Sequence, residues 1–321
     1  MRSLRKKLAH TLRNISKKSK LTLIAFVGLT QAALADSFPV KIAQVIPTQG
    51  NTTTEVVVTQ TGDTQAAVIT GGQLSSDGSN LFHSFDTFNV ETGSTASFLT
   101  TPTIQNVLSH ITGGPSSIDG LLQVLGSQAD LYLINPSGIL FGPNIQLNLT
   151  GSLTAATDSD VAFGEHWLSA VLGEQTHYGD LLGSPTAYAF SGSGPVVNLG
   201  DLTLGAGEAL TLMGSTVVNT GNISVPAGHI TLSAVEGTQR VRIGEGTQLL
   251  SLEVLPNALN TGVTSQTLGS LLTGGNTPYA NQLRVNADGS VSLLSTETQL
   301  PETVGTVIVS GALSTEGLSG G

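Results

Sequence analysis

The chain has 321 residues, 39 Gly, no Cys, and only 4% aromatic and 11% charged residues. That length supports a sizeable core, but Gly and β-branched residues are poor helix formers, so the composition excludes a helical protein and points to many short strands joined by turns. Eight of the twelve basic residues lie in the first 20 positions, and beyond residue 35 four basic residues face 22 acidic ones, a net charge of −18. A body that acidic excludes nucleic acid as a partner, because phosphates demand Lys and Arg.

In chain order, a basic segment from Arg2 to Lys20 leads into an apolar run, Leu21 to Ala35. It ends Ala33-Leu34-Ala35, a small-x-small pattern before Asp36, which predicts a signal peptide over 1–35 cleaved after Ala35. The run is too short and too mixed to span a bilayer well. The absence of Cys excludes the disulfide staple of small exported domains and suits a chain that stays unfolded through a pore.

Short strands with turn punctuation follow in "VIPTQG" and "TEVVVTQTG". In "NLFHSFDTFNV", Leu81, His83 and Phe85 alternate with Phe82, Ser84 and Asp86, the period of a strand. "SIDGLLQVL" (117–125) is left open between a helical turn and a strand. "DLYLI" and "ILFG" read as strands, with Asn135-Pro136-Ser137-Gly138 between them. Asn suits the first position of a β-turn, Pro presets φ at the second, Ser is accepted at the third and Gly suits the fourth. The motif is therefore a sharp corner between buried strands.

Beyond residue 190 a repeat emerges. "VVNLGDLTLGAGEALTL" (196–212) returns as "VVNTGNISVPAGHITL" (217–232), with Asn198, Gly200 and Leu202 reappearing 21 positions later as Asn219, Gly221 and Ile223. A period near twenty with Gly corners indicates a solenoid, and at about 3.3 Å per strand residue one period holds three short strands. Asn198 and Asn219 are then candidates for an Asn ladder, with surface Asn as the alternative. "LTGSLTA" (149–155) and "VSGALST" (309–315) read as related fragments through their shared Gly-x-Leu. The chain closes "VSGALSTEGLSGG", a glycine turn where another strand is expected.

Two stretches break the rhythm and read as excursions from the solenoid wall, near 164–190 and 253–303. The first holds the single Trp, with His166, Trp167, His177 and Tyr178 packing under a loop or lining a ligand site. In the second, Asn286-Ala287-Asp288-Gly289 reads as a hairpin turn. Asp158 and Asp160 in "TDSD" read as a solvated turn in preference to a carboxylate pair. No His spacing makes a metal site and no calcium-binding nonapeptide occurs, so neither metal nor cofactor is expected.

The run from Phe82 to Gly164 resembles the N-terminal secretion domain of filamentous haemagglutinin-like proteins, the exported partners of two-partner secretion systems. "LFHSFDTFNV", "IQNVLSHITGG" and above all "ADLYLINPSGILFGPNIQLNLTGSLTAAT" carry the resemblance, and "VVNTGNISVPAGHITL" resembles the coils that follow. It covers most of residues 40–240. The family typically has Asn-Pro-Asn-Gly where this chain has Ser137, a departure that still supports a turn.

The resemblance implies an all-β fold, a right-handed parallel β-helix with an N-terminal strand cap, occupying 36–321. It implies a secreted or cell-surface protein that crosses the periplasm of a Gram-negative-type envelope, using the general secretory translocase and then an outer-membrane transporter with POTRA domains. Asn135, Pro136, Ser137 and Gly138 then carry two readings, a structural corner or a secretion motif recognised by the transporter. Members are commonly adhesins, cytolysins or contact-dependent toxins; an adhesin or haemagglutinin-like surface protein is expected here, which leaves room for a host or cell-surface receptor. The alternative is a β-helical polysaccharide-degrading enzyme, which needs two placed carboxylates or a strong base with cations. Arg240 and Arg242, two apart on a strand, share one face, but no acidic cluster accompanies them, so a non-enzymatic role is expected.

Overall fold

Every strand that continues the alternation seen at Leu81, His83 and Phe85 lies parallel to its counterpart one turn of chain later. The structure, a computed structural model, describes residues 45–48, 52–169, 176–191, 194–235, 238–243, 250–253, 283–285, 291–293, 298–299 and 305–317. These lie within one compact unit, Ala43–Gly321. Its body is a parallel β-helix with three walls.

The first wall stacks Asn80–Phe88, Asn106–Ile111, Asp130–Ile134, Leu153–Ala156, Ala209–Gly214 and His229–Ala234. The second stacks Ser116–Ile118, Ile139–Phe141, Val196–Asn198, Thr216–Asn219 and Thr306–Val309. The third is made by two sheets, one including Thr64–Thr70, Thr95–Leu99, Leu121–Leu125 and Gln146–Asn148, the other Leu202–Thr203, Ile223–Ser224 and Leu313–Ser314. The stretch 117–125 resolves into strands of two walls, because Gly120 makes a corner inside it.

Register explains the core. Leu81, Val107, Leu131, Leu153, Leu210 and Ile230 stand opposite one another along the first wall, and they belong to or pack on one continuous apolar core. Each coil buries its inward residues only by stacking on its neighbours. At the N-terminal end the pairing turns antiparallel: Val45–Pro47 and Gln73–Leu74 pair with Asn80–Phe88, and Glu55–Thr61 pairs with Thr64–Thr70. This cap lays Val45, Val56 and Val58 on the core, where Phe85, Phe88 and Phe98 cluster with ring centroids 5.1 to 6.3 Å apart.

Several outward residues of the first wall are also apolar, for a reason that periodicity alone does not show. Asp160–Phe163, His166–Ser169, Ala187–Ser191, Thr238–Ile243 and Leu250–Glu253 form an antiparallel sheet, here called the flap. Its Val161, Phe163, Leu168, Tyr188, Phe190 and Val241 make a second core with Phe82, Leu108, Tyr132 and Ile134 of the wall. Both segments that build the flap leave the helix between the first wall and the second: Val196 follows Ala156, and Thr306 follows Ala234. Leu283–Val285, Val291–Leu293 and Thr298–Gln299 form a small antiparallel sheet; the Asn286–Gly289 turn lies outside the described residues.

One sequence expectation is corrected. The fragments 149–155 and 309–315 occupy different walls: Leu153 pairs with Leu131 on the first, Leu313 with Ile223 on the third. In each fragment Gly-x-Leu leads from a corner into a strand, with Leu153 fully buried and Leu313 exposed. The true third copy of the 21-residue repeat is 307–314, since Val309 stands opposite Asn219.

Candidate functional site

The corner 135–138 joins the first wall to the second, and its stability comes from below, within and above. Asn135 is fully buried. Its backbone carbonyl accepts from Gly138 N (3.0 Å), closing the β-turn, and its Oδ1 accepts from Ser137 N (2.9 Å). Its Nδ2 reaches the corner of the preceding coil, donating to Gly114 O (3.1 Å) and Ser116 Oγ (2.9 Å). Ser137 Oγ donates to Gly113 O (2.7 Å) on that same corner. From the following coil, Gly194 N donates to Pro136 O (2.7 Å), while Ile139 N donates to Pro195 O (3.0 Å).

The glycines are there because corners pack backbone to backbone. Gly138 has φ +120°, and a Cβ there would stand 3.2 Å from Pro195 O. A Cβ on Gly194 would meet Ser137 O at 2.5 Å, which no side chain tolerates without moving the coil. Only Pro136 and Ser137 are half-exposed; Asn135 and Gly138 are buried. In the folded chain the motif is therefore a three-coil clamp. Replacing Ser137 by Ala removes one hydrogen bond and leaves Gly113 O with a lone pair unmet. We expect Ser137→Ala to lower stability by about 1 kcal/mol, read as a shift of the urea midpoint at unchanged slope.

Asn198 and Asn219 stand opposite one another on the second wall, both fully buried. Asn198 Nδ2 donates to Asn219 Oδ1 (2.7 Å) and to Gly200 O (3.0 Å), and its own Oδ1 accepts from Gly200 N (3.2 Å). Asn219 Nδ2 donates to Gly221 O (2.9 Å). Each Asn thus caps its own turn and touches the other. Phe141 and Val309 flank the pair in the same column, so the stack has two members.

A second Asn pair escaped the sequence reading. Asn106 Nδ2 donates to Asn80 Oδ1 (2.7 Å), and Asn80 Nδ2 donates to Leu181 O (2.8 Å) and Gly183 O (2.7 Å). It ties the segment after Tyr178–Asp180 to the first complete coil. The signal was present as "NLFHS" and "NVLSH", 26 positions apart.

The other marked residues are scattered. Ala33 and Ala35 lie outside the described residues. Tyr178 packs on Phe82 with centroids 5.2 Å apart, whereas Trp167 carries the Arg240 guanidinium 5.0 Å from its ring; His166 is exposed. Asp158 corrects its expectation: it is fully buried, not solvated. Among the described residues, no group of three His, Cys, Asp or Glu side chains could hold a metal ion.

The described residues form an all-β solenoid closed at its N-terminal end by antiparallel strands, with the buried Asn135, Asn198 and Asn219 spent on its corners. The family model of the TPS secretion domain matches residues 43–293. The chain belongs to that family, the secretion domains of two-partner secretion exoproteins. Comparison with curated proteins gives no match. Among solved structures, the HMW1 secretion domain from Haemophilus influenzae is similar at 22% identity, covering 63% of this chain and 46% of that one, with a TM-score of 0.39.

Proposed function

We propose that residues 36–321 form the export-directing domain of a secreted or surface exoprotein, delivered across the outer membrane by a dedicated transporter. The family match over 43–293 carries this reading. In detail, residues 1–35 act as a signal peptide read by the general secretory translocase and cleaved after Ala35, with Ala33 and Ala35 as the small residues of the site. The chain then meets the POTRA domains of its transporter in the periplasm. It threads through unfolded, which the lack of Cys and the low charge permit, and folds outside coil upon coil. Growing buried apolar area biases transit outward where no ATP is available.

Within this reading, Asn135, Pro136, Ser137 and Gly138 serve as a corner that locks three successive coils, and Asn198 with Asn219 performs the same service on the second wall. Adhesin activity and a host receptor belong to whatever the exoprotein carries besides this domain. The polysaccharide-degrading alternative draws no support from the described residues: Asp158 is fully buried, and the family is one of secretion targeting.

The test is export. The tagged chain is expressed with and without the candidate transporter, after transporter insertion is verified. Transporter-dependent release of a chain beginning near Asp36 is expected. A folded chain held in the periplasm in both cases would overturn the reading.

A further inference from the structure

The strand Glu55–Thr61 ends its sheet: it pairs with Thr64–Thr70 on one side and, among the described residues, with no strand on the other. The hairpin decides which of its backbone groups are left over. The loop Gly62-Asp63 is two residues long, so Thr61 and Thr64 are a hydrogen-bonded pair. Every second residue repeats that pairing, which turns the N–H and C=O of Glu55, Val57, Thr59 and Thr61 toward Thr64–Thr70. Those of Val56, Val58 and Gln60 point away from it. The neighbouring strand agrees, because Gln65, opposite Gln60, donates its N–H to Ser94 Oγ (2.9 Å) on the side away from Glu55–Thr61.

Exposed edges are blunted in proteins by Lys, by Pro, by a bulge or by brevity. Glu55–Thr61 has none of these. It is seven residues of EVVVTQT in unbroken register with Thr64–Thr70. Val56 and Val58 lay their side chains on the core, while Val57 is 62% exposed and Thr59, Gln60 and Thr61 are exposed beside it. The wall behind is bare of charge: no charged residue occurs in Thr64–Thr70, Thr95–Leu99, Leu121–Leu125 or Gln146–Asn148. The chain beyond residue 35 carries a net −18. A molecule that acidic, with one wall and its edge kept neutral, offers a second acidic molecule an approach without like charges face to face.

We propose that Glu55–Thr61 is a dimerisation edge, which pairs antiparallel with the same strand of a second copy of this chain about a two-fold axis at Val58. In that register the strand is its own complement. Val58 faces its counterpart and Val56 faces Gln60, so all the residues with outward backbone groups are used. Val57 faces Thr59, and the strand's single charge, Glu55, faces Thr61 and meets no like charge. Moving the axis to Val57 or to Thr59 sets Gln60 or Val56 opposite a residue beyond the strand, with one pairing lost.

The contact is isologous, so each edge consumes the other and association closes at two. The third walls of both molecules then continue as one sheet across the axis. A single strand pair is a small interface, of the size that forms and separates reversibly with concentration.

Sedimentation velocity of the purified full chain over a dilution series is the test. Wild type should pass from monomer to dimer as concentration rises and go no further. Val57 and Thr59 face one another across the axis with exposed side chains, so Val57→Glu combined with Thr59→Glu sets like charges opposite at both symmetry-related pairs. It should weaken dimerisation about two- to thirtyfold. Val57→Lys combined with Thr59→Lys should do the same, and mixing the two variants in equal amounts should restore the dimer, because opposite charges then face each other. Circular dichroism verifies that both variants fold. Hydrogen exchange reads the edge residue by residue: the amides of Val56, Val58 and Gln60 should gain protection as concentration rises, whereas those of Val57 and Thr59, already bonded to Thr64–Thr70, are protected throughout. A wild-type chain that stays monomeric, the result if this edge takes a strand of another protein, would overturn the proposal. So would a dimer that ignores the charges at 57 and 59, a mixture that does not recover, or amide protection of Val56, Val58 and Gln60 that is the same at every concentration. None of these measurements involves export, so the secretion reading stands or falls separately.

Discussion

Asn135→Ala should cost about 3–5 kcal/mol, a large part of the roughly 5–15 kcal/mol that holds a domain together. The substitution leaves Gly114 O, Ser116 Oγ and Ser137 N without their partner, in a corner where Asn135 itself is sealed from water. Urea unfolding of the purified domain measures it. Pro136→Ala makes the contrast. It keeps the carbonyl that accepts from Gly194 N and loses only the preset φ, for about 0.5–1 kcal/mol. If the motif acts as a corner, export tracks stability: Asn135→Ala fails and Pro136→Ala passes. Loss of export in a Pro136→Ala chain of normal stability would instead show that the transporter reads the motif directly, as would weakened POTRA binding by a folded variant.

Phe85→Ala should cost about 3–5 kcal/mol by the same assay, here through a cavity. Phe85 is fully buried where the cap meets the helix, with Phe88 at 5.1 Å and Phe98 at 6.3 Å between ring centroids, and His83, its pKa pushed down to about 4 by burial, 6.1 Å away. The damage should be directional. Loosening the cap frees the edge of Thr64–Thr70 that Glu55–Thr61 now covers, and unpaired edges template association. A concentration-dependent rise in light scattering at a temperature where wild type stays clear is the expected signature. Phe190→Ala, placed in the second core under the flap, should destabilise without that rise.

The solenoid could be read because its period is written in residues that do one job. Asn198-x-Gly200 and Asn219-x-Gly221 are turn caps, and turns one coil apart share the same backbone geometry. The Asn80–Asn106 pair was harder. Its coil is 26 positions long instead of 21 and its neighbours differ, so the eye has no fixed interval to follow. Asp158 could not be read at all: "TDSD" is polar on its face, and the full burial of Asp158 comes from tertiary packing that the local sequence does not carry. Phe82, Leu108 and Tyr132 did carry a hint. A wall exposed to water would alternate apolar with polar, and these outward positions are apolar. A strand that is greasy on both faces is announcing a second layer.

Both departures from the helix occur at one kind of joint, between the first wall and the second. There the spacing runs from the single Ser215 between Gly214 and Thr216 to the long path from Ala234 to Thr306, yet the strands on either side stay in register. Closing a loop costs only about 0.6 kcal/mol for each doubling of its length. That joint is therefore a natural graft point: a foreign epitope spliced into it would ride on the outside of the spine while the stacking of coils beneath went on undisturbed.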